Sequence, residues 1–490
     1  MEAGETKVGY RIVSGDTQKL PDVPAFIATL NESELAGFFE PEVDLFIARA
    51  PGRLDLMGGI ADYSGSLVLQ MPIAEATFAA LQLDEVRDLT VTSLQDGKAD
   101  RSFRLSLAQL EPGGSLEQYE QAQEHFQSTH QPWAAYVAGV FLVLMRERHV
   151  KFQKGSRILI SSQVPEGKGV SSSAALEVAV MSAVAAAFDL KLNAKELALL
   201  CQQVEHKVVG APCGVMDQMA SACGEANRLL ALLCQPAEVQ GLIQLPRELK
   251  VWGLDSGIRH SVSGNDYTSV RTAAFMGHRI ITETMAVESD NATGFDQTRR
   301  ALNDPLEGYL ANLTPSVFEA HYAARLPDKI TGAEFRERYG ETIDSVTRVD
   351  PARMYAVRQA TAHPIYEHFR VRLFAELLQT APSERRNESL GELMYQSHNS
   401  YSACGLGCAE TDLLVQLVRK LGPQRGLYGA KITGGGSGGT VAVLARADAE
   451  AGVMNVVEAF ERQTKKQCTV FAGSSPGSAA FGYLSLRRDR

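Results

Sequence analysis

One stretch of this 490-residue chain combines glycines, hydroxyls and the start of an apolar segment, the residue types that bind phosphate. It runs Val164-Pro-Glu-Gly-Lys-Gly-Val-Ser-Ser-Ser-Ala-Ala-Leu-Glu-Val178. Gly167 and Gly169 permit backbone conformations that are closed to other residues. The apolar run that continues to Leu190 predicts a buried helix, whose first N–H groups and positive dipole end attract anions. The stretch therefore predicts a phosphate site, and a serine-capped joint between strand and helix is the alternative.

Three charged residues in turns of small residues are further candidates for a site. Asp217 follows the turn Pro212-Cys-Gly214 and precedes a run of small apolar residues, so it is either a helix cap or a site residue. Arg53 and Asp62 flank the glycine-rich turn Leu56-Met-Gly-Gly-Ile-Ala-Asp62. Because charges on surface turns are usually solvated, none of the three identifies a function by itself.

A second glycine-rich segment, Gly429-Ala-Lys-Ile-Thr-Gly-Gly-Gly-Ser-Gly-Gly439, contains a formal G-x-G-x-x-G at Gly434, Gly436 and Gly439. The glycines lead into a strand rather than a helix, so a dinucleotide-binding interpretation is rejected. We expect a turn that lets the backbone approach another loop closely. The sequence also has no match to the Walker lysine loop G-x-x-x-x-G-K-[ST].

Composition limits the classes of function. A hydrophobic content of 45% and a charged content of 22% are ordinary globular values. The net charge of −10 argues against a nucleic-acid partner, which requires a basic surface. We find no run of eighteen apolar residues and no apolar signal core, which predicts a cytoplasmic protein without a membrane partner. Seven cysteines without dense spacing fit a reducing compartment.

The pattern of apolar residues places these segments on alternating strands and helices. Strands are predicted at 45–53, 67–69, 76–83, 89–93, 229–233, 249–254 and 440–444. Helices are predicted at 133–146, 193–208, 269–284, 354–361, 363–380, 410–421 and 448–463. The alternation lacks a strict βαβ rhythm and predicts an α+β fold. We divide the chain into an N-terminal extension (1–44), an N-terminal domain (45–240) and a C-terminal domain (241–490), and leave the polar stretch 285–350 unplaced.

Taken in order, three of these segments resemble the three motifs of the GHMP small-molecule kinases. They are Ala50-Pro-Gly-Arg53 with Asp62-Tyr63, then Pro165 to Ala174, then Gly429 to Gly439. Gly210-x-Pro-Cys-Gly-x-Met-Asp-Gln218, Trp133-x-x-Tyr136-x-x-Gly139 and Tyr267 after Asn265-Asp266 are similar to the galactokinase branch. The resemblance covers roughly residues 45–280 and 390–490. It implies two α+β domains with the active site in the cleft between them.

The resemblance also implies roles for individual residues. The nucleotide-binding positions are Gly167, Gly169, Ser171, Ser172, Ser173, Trp133 and Tyr136, with core packing as the alternative for the two aromatic residues. Ser173 and Glu205 match positions that hold Mg²⁺, and their oxygen atoms suit that ion. Asp62, Gly59, Gly214 and Tyr267 match sugar contacts.

Asp217 matches the catalytic aspartate of the family and Arg53 its arginine partner. Phosphoryl transfer from ATP depends on alignment and on neutralisation of charge more than on covalent help. Asp217 would accept the proton of an anomeric C1 hydroxyl or orient that hydroxyl. Arg53 would keep Asp217 ionised and stabilise developing charge.

The first motif departs from the usual galactokinase sequence Gly-Glu-His-Thr-Asp-Tyr, since it reads Gly58-Gly-Ile-Ala-Asp-Tyr63 here. Gly59 stands where the family has the glutamate that recognises the C6 hydroxyl of galactose, and Ile60 replaces the histidine. L-Arabinopyranose has the hydroxyl configuration of D-galactopyranose without the C6 hydroxymethyl group, and a buried unpaired carboxylate would be costly beside it. Residues 58–73 are similar to the plant-type L-arabinokinase form of the motif.

The sequence therefore predicts an ATP- and Mg²⁺-dependent kinase that phosphorylates the anomeric hydroxyl of L-arabinose. A Gly59→Glu change is expected to depress activity on arabinose more than on galactose. A galactose or uronic acid kinase of the same fold is one alternative. A non-catalytic sugar sensor is another, although the complete Ser171-Ser-Ser-Ala-Ala175 and the presence of Asp217 argue against it.

Overall fold

The computed structural model describes residues 9–488 except 33–34, 36, 96, 130, 260–264 and 292–305. The strands of this part are β1 (Tyr10–Ser14), β2 (Leu45–Met57), β3 (Leu67–Asp84), β4 (Asp88–Gln95), β5 (Lys98–Ser106), β6 (Gly155–Ser162), β7 (Arg228–Leu233), β8 (Glu238–Gln244), β9 (Leu249–Asp255), β10 (Ile330–Thr331), β11 (Met354–Tyr355), β12 (Leu427–Ile432), β13 (Thr440–Arg446), β14 (Val470–Ala472) and β15 (Tyr483–Arg488).

The helices of the same part are α1 (Asp22–Thr29), α2 (Tyr119–Ser128), α3 (Ala134–Glu147), α4 (Ser172–Ala187), α5 (Ala194–Gln203), α6 (Met216–Cys223), α7 (Asn265–Asn291), α8 (Pro315–Val317), α9 (Gly332–Tyr339), α10 (Val357–Leu378), α11 (Glu384–Ala403), α12 (Ala409–Leu421), α13 (Glu450–Thr464) and α14 (Ser478–Phe481). Two irregular helical segments matter for the site: a 3₁₀ turn over Gly59–Ser64 and a π-helical turn over Val204–Val209.

A nine-stranded sheet forms the larger half of the fold, in the order β1-β15-β2-β3-β6-β4-β5, with β7 added to β3 and β8 to β7. Its pairs are antiparallel except for the parallel pair β4 and β6. The long strand β3 pairs with β7 through residues 67–70 and with β6 through residues 77–84. Because β2 and β6 both run antiparallel to β3, the serine-rich loop after β6 (residues 164–173) lies toward the same end of the sheet as the turn after β2.

A four-stranded antiparallel sheet, in the order β12-β13-β9-β14, forms the second half with helices α12 and α13 packed on it. The turn between β12 and β13 is the glycine-rich segment that ends at Gly439. The predicted domain boundary near residue 240 stays a prediction; β8 belongs to the large sheet and β9 to the small one.

Apolar side chains explain where the helices pack. Helix α3 is apolar around most of its circumference and is buried with α4 and α5 against the large sheet. Residues from both sheets share a second core with α10 and α11, which includes Leu54, Phe374, Met394 and Phe471. The two halves are thus held against each other by a continuous apolar contact.

Several predicted elements differ from the observed ones. The predicted strands 67–69 and 76–83 are one strand, β3, which continues through Pro72. The predicted helices 354–361 and 363–380 are one helix, α10, because Pro364 is accommodated inside it, while Met354 and Tyr355 form a short strand. The predicted N-terminal extension packs into the fold: β1 pairs with β15, and the Phe26 ring stacks on Phe78 at 4.6 Å.

Of the polar stretch that the sequence left unplaced, 285–350, residues 285–291 continue α7 and residues 306–350 are described, whereas residues 292–305 lie outside the described part. Residues 306–350 form short helices and turns that pack against α7 and α10 through Leu306, Leu310, Phe318 and Phe335. In the described part of the chain, no helix is long and apolar enough to cross a membrane.

Candidate active site

A cavity of about 380 Å³ lies where the two halves meet. The large-sheet half supplies the turn after β2, the serine-rich loop, Glu205 and the start of α6, and the other half supplies Tyr267 and the turn of Gly434 and Gly435. The predicted site residues that line the cavity are Arg53, Gly59, Asp62, Tyr136, Gly167, Gly169, Ser171, Ser172, Ser173, Glu205, Gly214, Asp217 and Tyr267. Trp133 lies outside it.

Arg53 and Asp217, which both line the cavity, form an ion pair. The Asp217 carboxylate oxygen Oδ1 accepts from Arg53 Nε at 2.9 Å and lies 2.8 Å from Nη2. Arg53 is fixed because its Nη1 also donates to the carbonyl of Gly169 at 2.7 Å, and its side chain is almost fully buried. The Asp217 side chain keeps 20% of its surface exposed, so the carboxylate is available to a ligand.

The serine-rich loop has the backbone that its glycines predict. Gly167 and Gly169 both have φ of +71°, and α4 begins at Ser172 with its N-terminus at the cavity. The glycine-rich turn before β13 contacts this loop as expected: a Cβ at Gly439 would come within 2.8 Å of the Lys168 carbonyl oxygen. Thr440 Oγ1 donates to the same oxygen at 2.7 Å. The loop is therefore held between both halves of the protein.

Glu205 lines the cavity and is surrounded by polar partners. Its pKa is raised to about 7, first by burial and then by the charge of Asp217, and hydrogen bonds that include one with Ser173 work in the opposite direction. Gln218 Nε2 donates to Glu205 Oε2 at 2.6 Å and to Glu177 Oε2 at 3.2 Å. Glu177 is fully buried, which raises its pKa well above the ordinary value. Buried acids of this kind fit a site that binds a cation.

Asp62 and Gly214 face each other on another wall of the cavity. A Cβ at Gly214 would overlap the Asp62 carboxylate, so a glycine is required there. Asp62 Oδ1 accepts from the N–H of Tyr63 at 2.9 Å, while Oδ2 has no hydrogen-bond partner among the described residues. Burial, followed by the charge of Asp217, raises the pKa of Asp62 to about 7. This free, buried oxygen is suited to accept a hydrogen bond from a ligand hydroxyl.

Helix α7 holds the turn that contains Gly214. Arg271 Nη1 donates to the carbonyls of Cys213 at 3.0 Å and Pro212 at 3.3 Å. The other side of the guanidinium is bound by both carboxylate oxygens of Asp344 at 2.9 Å. Both side chains of this pair are buried. Asp344 belongs to the polar stretch that the sequence left unplaced.

Gly59 lines the cavity but has no room for a side chain. A Cβ there would overlap the hydroxyl of Tyr401 and lie 2.9 Å from Asp55 Oδ2. The Gly59→Glu change expected to affect arabinose more than galactose is therefore not a simple addition of a carboxylate, because Tyr401 must move to admit it.

Trp133 and Tyr136 line an adjoining cavity of about 1010 Å³, which shares Tyr136, Ser172 and Ser173 with the first. The Trp133 ring packs edge-on against Phe103, with 5.2 Å between the centroids, and lies 5.6 Å from the Arg101 guanidinium. The serine-rich loop thus separates a small cavity with three acids from a larger one with aromatic walls.

Sequence reasoning did not single out Tyr401, Arg271, Asp344, Glu177 or Gln218. Gln218 directly follows Asp217, so its position beside the site was readable from the chain. Tyr401 is 342 residues from Gly59, and no local pattern marks it.

Three family profiles match the segments that build these cavities. The profile of the GHMP kinases N terminal domain matches residues 135–225, which contain the serine-rich loop. The galactokinase galactose-binding signature matches residues 36–83, and the GHMP kinases C terminal profile matches residues 374–462. Arg53 and Asp62 lie in the second match and the glycine-rich turn lies in the third.

Curated relatives agree with the profiles. An L-arabinokinase from Arabidopsis thaliana is 45% identical over 98% of this chain, and the chain spans 52% of that protein, about half its length. A galactokinase from Chloroflexus aggregans is 30% identical over 82% of this chain and 84% of its own length.

Solved structures share the fold. A galactokinase from Lactococcus lactis complexed with galactose superimposes with a TM-score of 0.67 at 20% identity, covering 95% of this chain and 98% of that one. A mevalonate kinase from Methanococcus jannaschii gives a TM-score of 0.53 at 14% identity, covering 91% of this chain and 98% of its own.

Proposed function

Because the chain belongs to the GHMP kinase family and, within it, to the galactokinase branch, we propose that it transfers the terminal phosphoryl group of ATP to the anomeric hydroxyl of L-arabinose. The product is L-arabinose 1-phosphate. The observation that carries the kinase proposal is the pair of Arg53 and Asp217, which faces the same cavity as the serine-rich loop. The sugar is assigned from Gly59 and from the 45% identical relative, which is named an L-arabinokinase.

Asp217 is the residue that receives or orients the sugar proton. Its Oδ1 is engaged by Arg53, and its partial exposure leaves the carboxylate within reach of a hydroxyl in the cavity. A positioned acid–base group contributes about 10²–10⁴-fold to a rate. Arg53 binds this carboxylate and adds positive charge where charge develops during transfer. Asp62 Oδ2 is free to accept from another hydroxyl of the sugar.

Nucleotide and metal are assigned to the serine-rich loop and its surroundings. Gly167, Gly169 and the serines 171–173 would contact the phosphates at the N-terminus of α4. Trp133 and Tyr136 would line the adenine end in the larger cavity. The hydroxyl of Ser173 and the carboxylate of the buried Glu205 line the same cavity and supply oxygen atoms, a donor set that fits Mg²⁺. When bound, Mg²⁺ neutralises charge on the phosphates.

We place the protein in the cytoplasm. All seven cysteines are free thiols, which fits a reducing compartment.

The experiment that tests the proposal measures ADP release with Mg·ATP against L-arabinose, D-galactose, D-galacturonate and D-glucuronate. We expect the highest kcat/KM for L-arabinose. A clearly higher kcat/KM for D-galactose would assign the chain to the second candidate, a galactokinase, which the match of residues 36–83 to the galactose-binding signature favours. A higher value for a uronate would contradict both assignments.

A further inference from the structure

We propose that Tyr401 is a specificity-determining residue of the sugar site. Its hydroxyl occupies the space that a side chain at residue 59 would use, so the wall beside Gly59 offers no carboxylate to an exocyclic hydroxymethyl group. The cavity then takes a pyranose without that group, which is a pentose. The inference rests on the proposed function and adds to it the residue that selects the substrate class.

The glycine at position 59 is required by space rather than by backbone conformation. Gly59 does not have a positive φ, so other residues could adopt its backbone. It begins the 3₁₀ turn directly after Gly58, whose φ is +110°. A Cβ at residue 59 would nevertheless overlap the Tyr401 hydroxyl. The Tyr401 hydroxyl therefore excludes any residue larger than glycine at position 59.

Tyr401 is held firmly in this place. Its hydroxyl accepts from the N–H of Ile60 at 2.9 Å and donates to the carbonyl of Gly434 at 3.0 Å. Its ring packs edge-on against His363, with 5.3 Å between centroids and 86° between planes, and Lys431 Nζ lies 5.1 Å from the ring centroid. The residue is fully buried, so rotation toward solvent would break two hydrogen bonds and open a void.

The acid nearest to this wall cannot replace the missing carboxylate. Asp55 is fully buried, and Lys431 Nζ lies 2.6 Å from its Oδ2. Its Oδ1 accepts from Gln70 Nε2 at 2.8 Å and from the N–H of Gly59 at 3.1 Å. Both carboxylate oxygens are thus engaged within the protein.

The cavity surface on this side is apolar or backbone. Gly59, Ile60, Gly434 and Gly435 line it, and Ile60 is almost fully buried. A hydroxymethyl group placed here would lose water without gaining a charged acceptor. A sugar that ends in a ring CH₂ at this carbon has no such loss. Asp62, which also lines the cavity, remains free to bind a ring hydroxyl.

A double-mutant cycle tests the steric claim without reference to any substrate. Gly59→Ala adds only a methyl group, and with Tyr401 present we expect it to lower the Tm. In a Tyr401→Met background the same change should lower the Tm by much less, because the flexible methionine side chain can move away from the added methyl group. Equal Tm decreases in both backgrounds would overturn the claim that Tyr401 excludes a side chain at residue 59.

The specificity claim is tested with Gly59→Glu, Tyr401→Met and the double variant, each assayed on L-arabinose and D-galactose. We expect the double variant to raise the ratio of kcat/KM for D-galactose over L-arabinose by about 10-fold or more, since polar contacts discriminate strongly between such substrates. Tyr401→Met alone should change the ratio little. An unchanged ratio in a double variant that binds Mg·ATP like the wild type would contradict the specificity role.

Tyr395→Met is the matched control, because Tyr395 is a buried tyrosine of the same helix that packs against Arg419. Tyr395→Met should lower the Tm without changing the ratio of kcat/KM for D-galactose over L-arabinose. If it shifts this ratio as much as the double variant does, the effect comes from a general loosening of α11, and the proposal is contradicted. The wild-type assay distinguishes failure of the proposed function from failure of the proposal for Tyr401. A wild-type enzyme that prefers D-galactose overturns the proposed function. A wild-type enzyme that prefers L-arabinose, with a double variant whose kcat/KM ratio is unchanged, overturns the role of Tyr401 alone.

Discussion

Three acids line the cavity, and their surroundings give them different tasks. Asp217 is bound by Arg53 and keeps part of its surface exposed. Asp62 and Glu205 are buried, which raises the pKa of each to about 7. Buried acids with a raised pKa are typical of active sites. Asp217 is thus suited to proton transfer, Asp62 to a sugar hydroxyl and Glu205 to a cation.

Replacing Asp217 by alanine is expected to lower kcat by about 10²–10⁴-fold, because the group that we propose orients or accepts the sugar proton is lost. The Kd of Mg·ATP, measured by calorimetry, should change little, since Asp217 lies at the start of α6 and not in the serine-rich loop. Asp217→Asn, which keeps the shape, separates loss of charge from loss of packing. A fully active Asp217→Ala enzyme would contradict the assignment.

The raised pKa of Glu205 predicts how stability and activity depend on pH. Its ordinary value of 4.5 rises to about 7 in the folded protein, so the native state binds the proton more tightly than the unfolded state. The free energy of unfolding should therefore fall as pH rises from about 4.5 to about 7, by on the order of 3 kcal/mol for this group. Above about pH 7, Glu205 should cause no further fall in the free energy of unfolding. The proposed role of Glu205 as a metal ligand requires its ionised form, so the kcat/KM for Mg·ATP should rise over the same range.

Glu205→Gln is the variant that checks this, with urea unfolding measured at pH 5, 6, 7 and 8. The fall in unfolding free energy should be smaller than in the wild type, although Asp62 contributes a decline of the same sign. Asp62→Asn, measured in parallel, isolates that second contribution. An identical pH dependence in wild type and Glu205→Gln would refute the role assigned to burial.

At the scale of elements, α7 and the segment around Asp344 fix the turn of Gly214, which lines the smaller cavity. Arg271 connects them, because it binds the Pro212 and Cys213 carbonyls on one side and Asp344 on the other. Asp344 is itself fixed by the N–H and hydroxyl groups of Thr347. The polar stretch thus acts as a support for the Gly214 turn.

Asp344→Asn should weaken this support and raise the KM for the sugar by about 10-fold or more. Breaking a buried ion pair costs about 3–5 kcal/mol, and part of this cost should appear as a less well ordered Gly214 turn. The KM for ATP should be nearly unchanged, and that split distinguishes positioning of the turn from general destabilisation. Asp328→Asn is the control, since Asp328 lies in the same stretch and its ion pair with Arg358 of α10 is largely exposed. Equal increases of both KM values in Asp344→Asn would contradict the positioning role.

Local sequence signals predicted these elements unevenly. The serine-rich loop, α4 and the Asn193 cap of α5 were predictable, because glycine conformation, apolar run and capping side chain all lie within a few residues. Pro364 was misleading, since a proline usually interrupts a helix, yet here the helix continues around it with both neighbours buried. Strand β15, which lies between β1 and β2 in the large sheet, gives no strong pattern and forms by pairing with both of them.

At the scale of the whole molecule, the site is made by contacts between its two halves. Lys431 of β12 and Asp55 of β2 form a fully buried ion pair, and Thr433 Oγ1 accepts from the N–H of Asp55 at 2.7 Å. Lys168 of the serine-rich loop binds Asp255 of β9 at 2.6 Å. The motifs predicted which chemistry would meet here, because each motif is local. Tyr401, Lys431 and Arg271 were not predictable, because their roles arise from contacts with residues that are distant in the chain.

The chemical identity of the product tests the central claim most directly. The full chain is incubated with Mg·ATP and L-arabinose, and the products are observed by ³¹P and ¹H nuclear magnetic resonance, with Asp217→Ala in parallel. We predict one new phosphate ester whose phosphorus couples to the anomeric proton of the pentose, together with one ADP for each ester formed, and almost none with the variant. An ester at another hydroxyl, or ADP without any sugar phosphate, would contradict anomeric phosphorylation of L-arabinose.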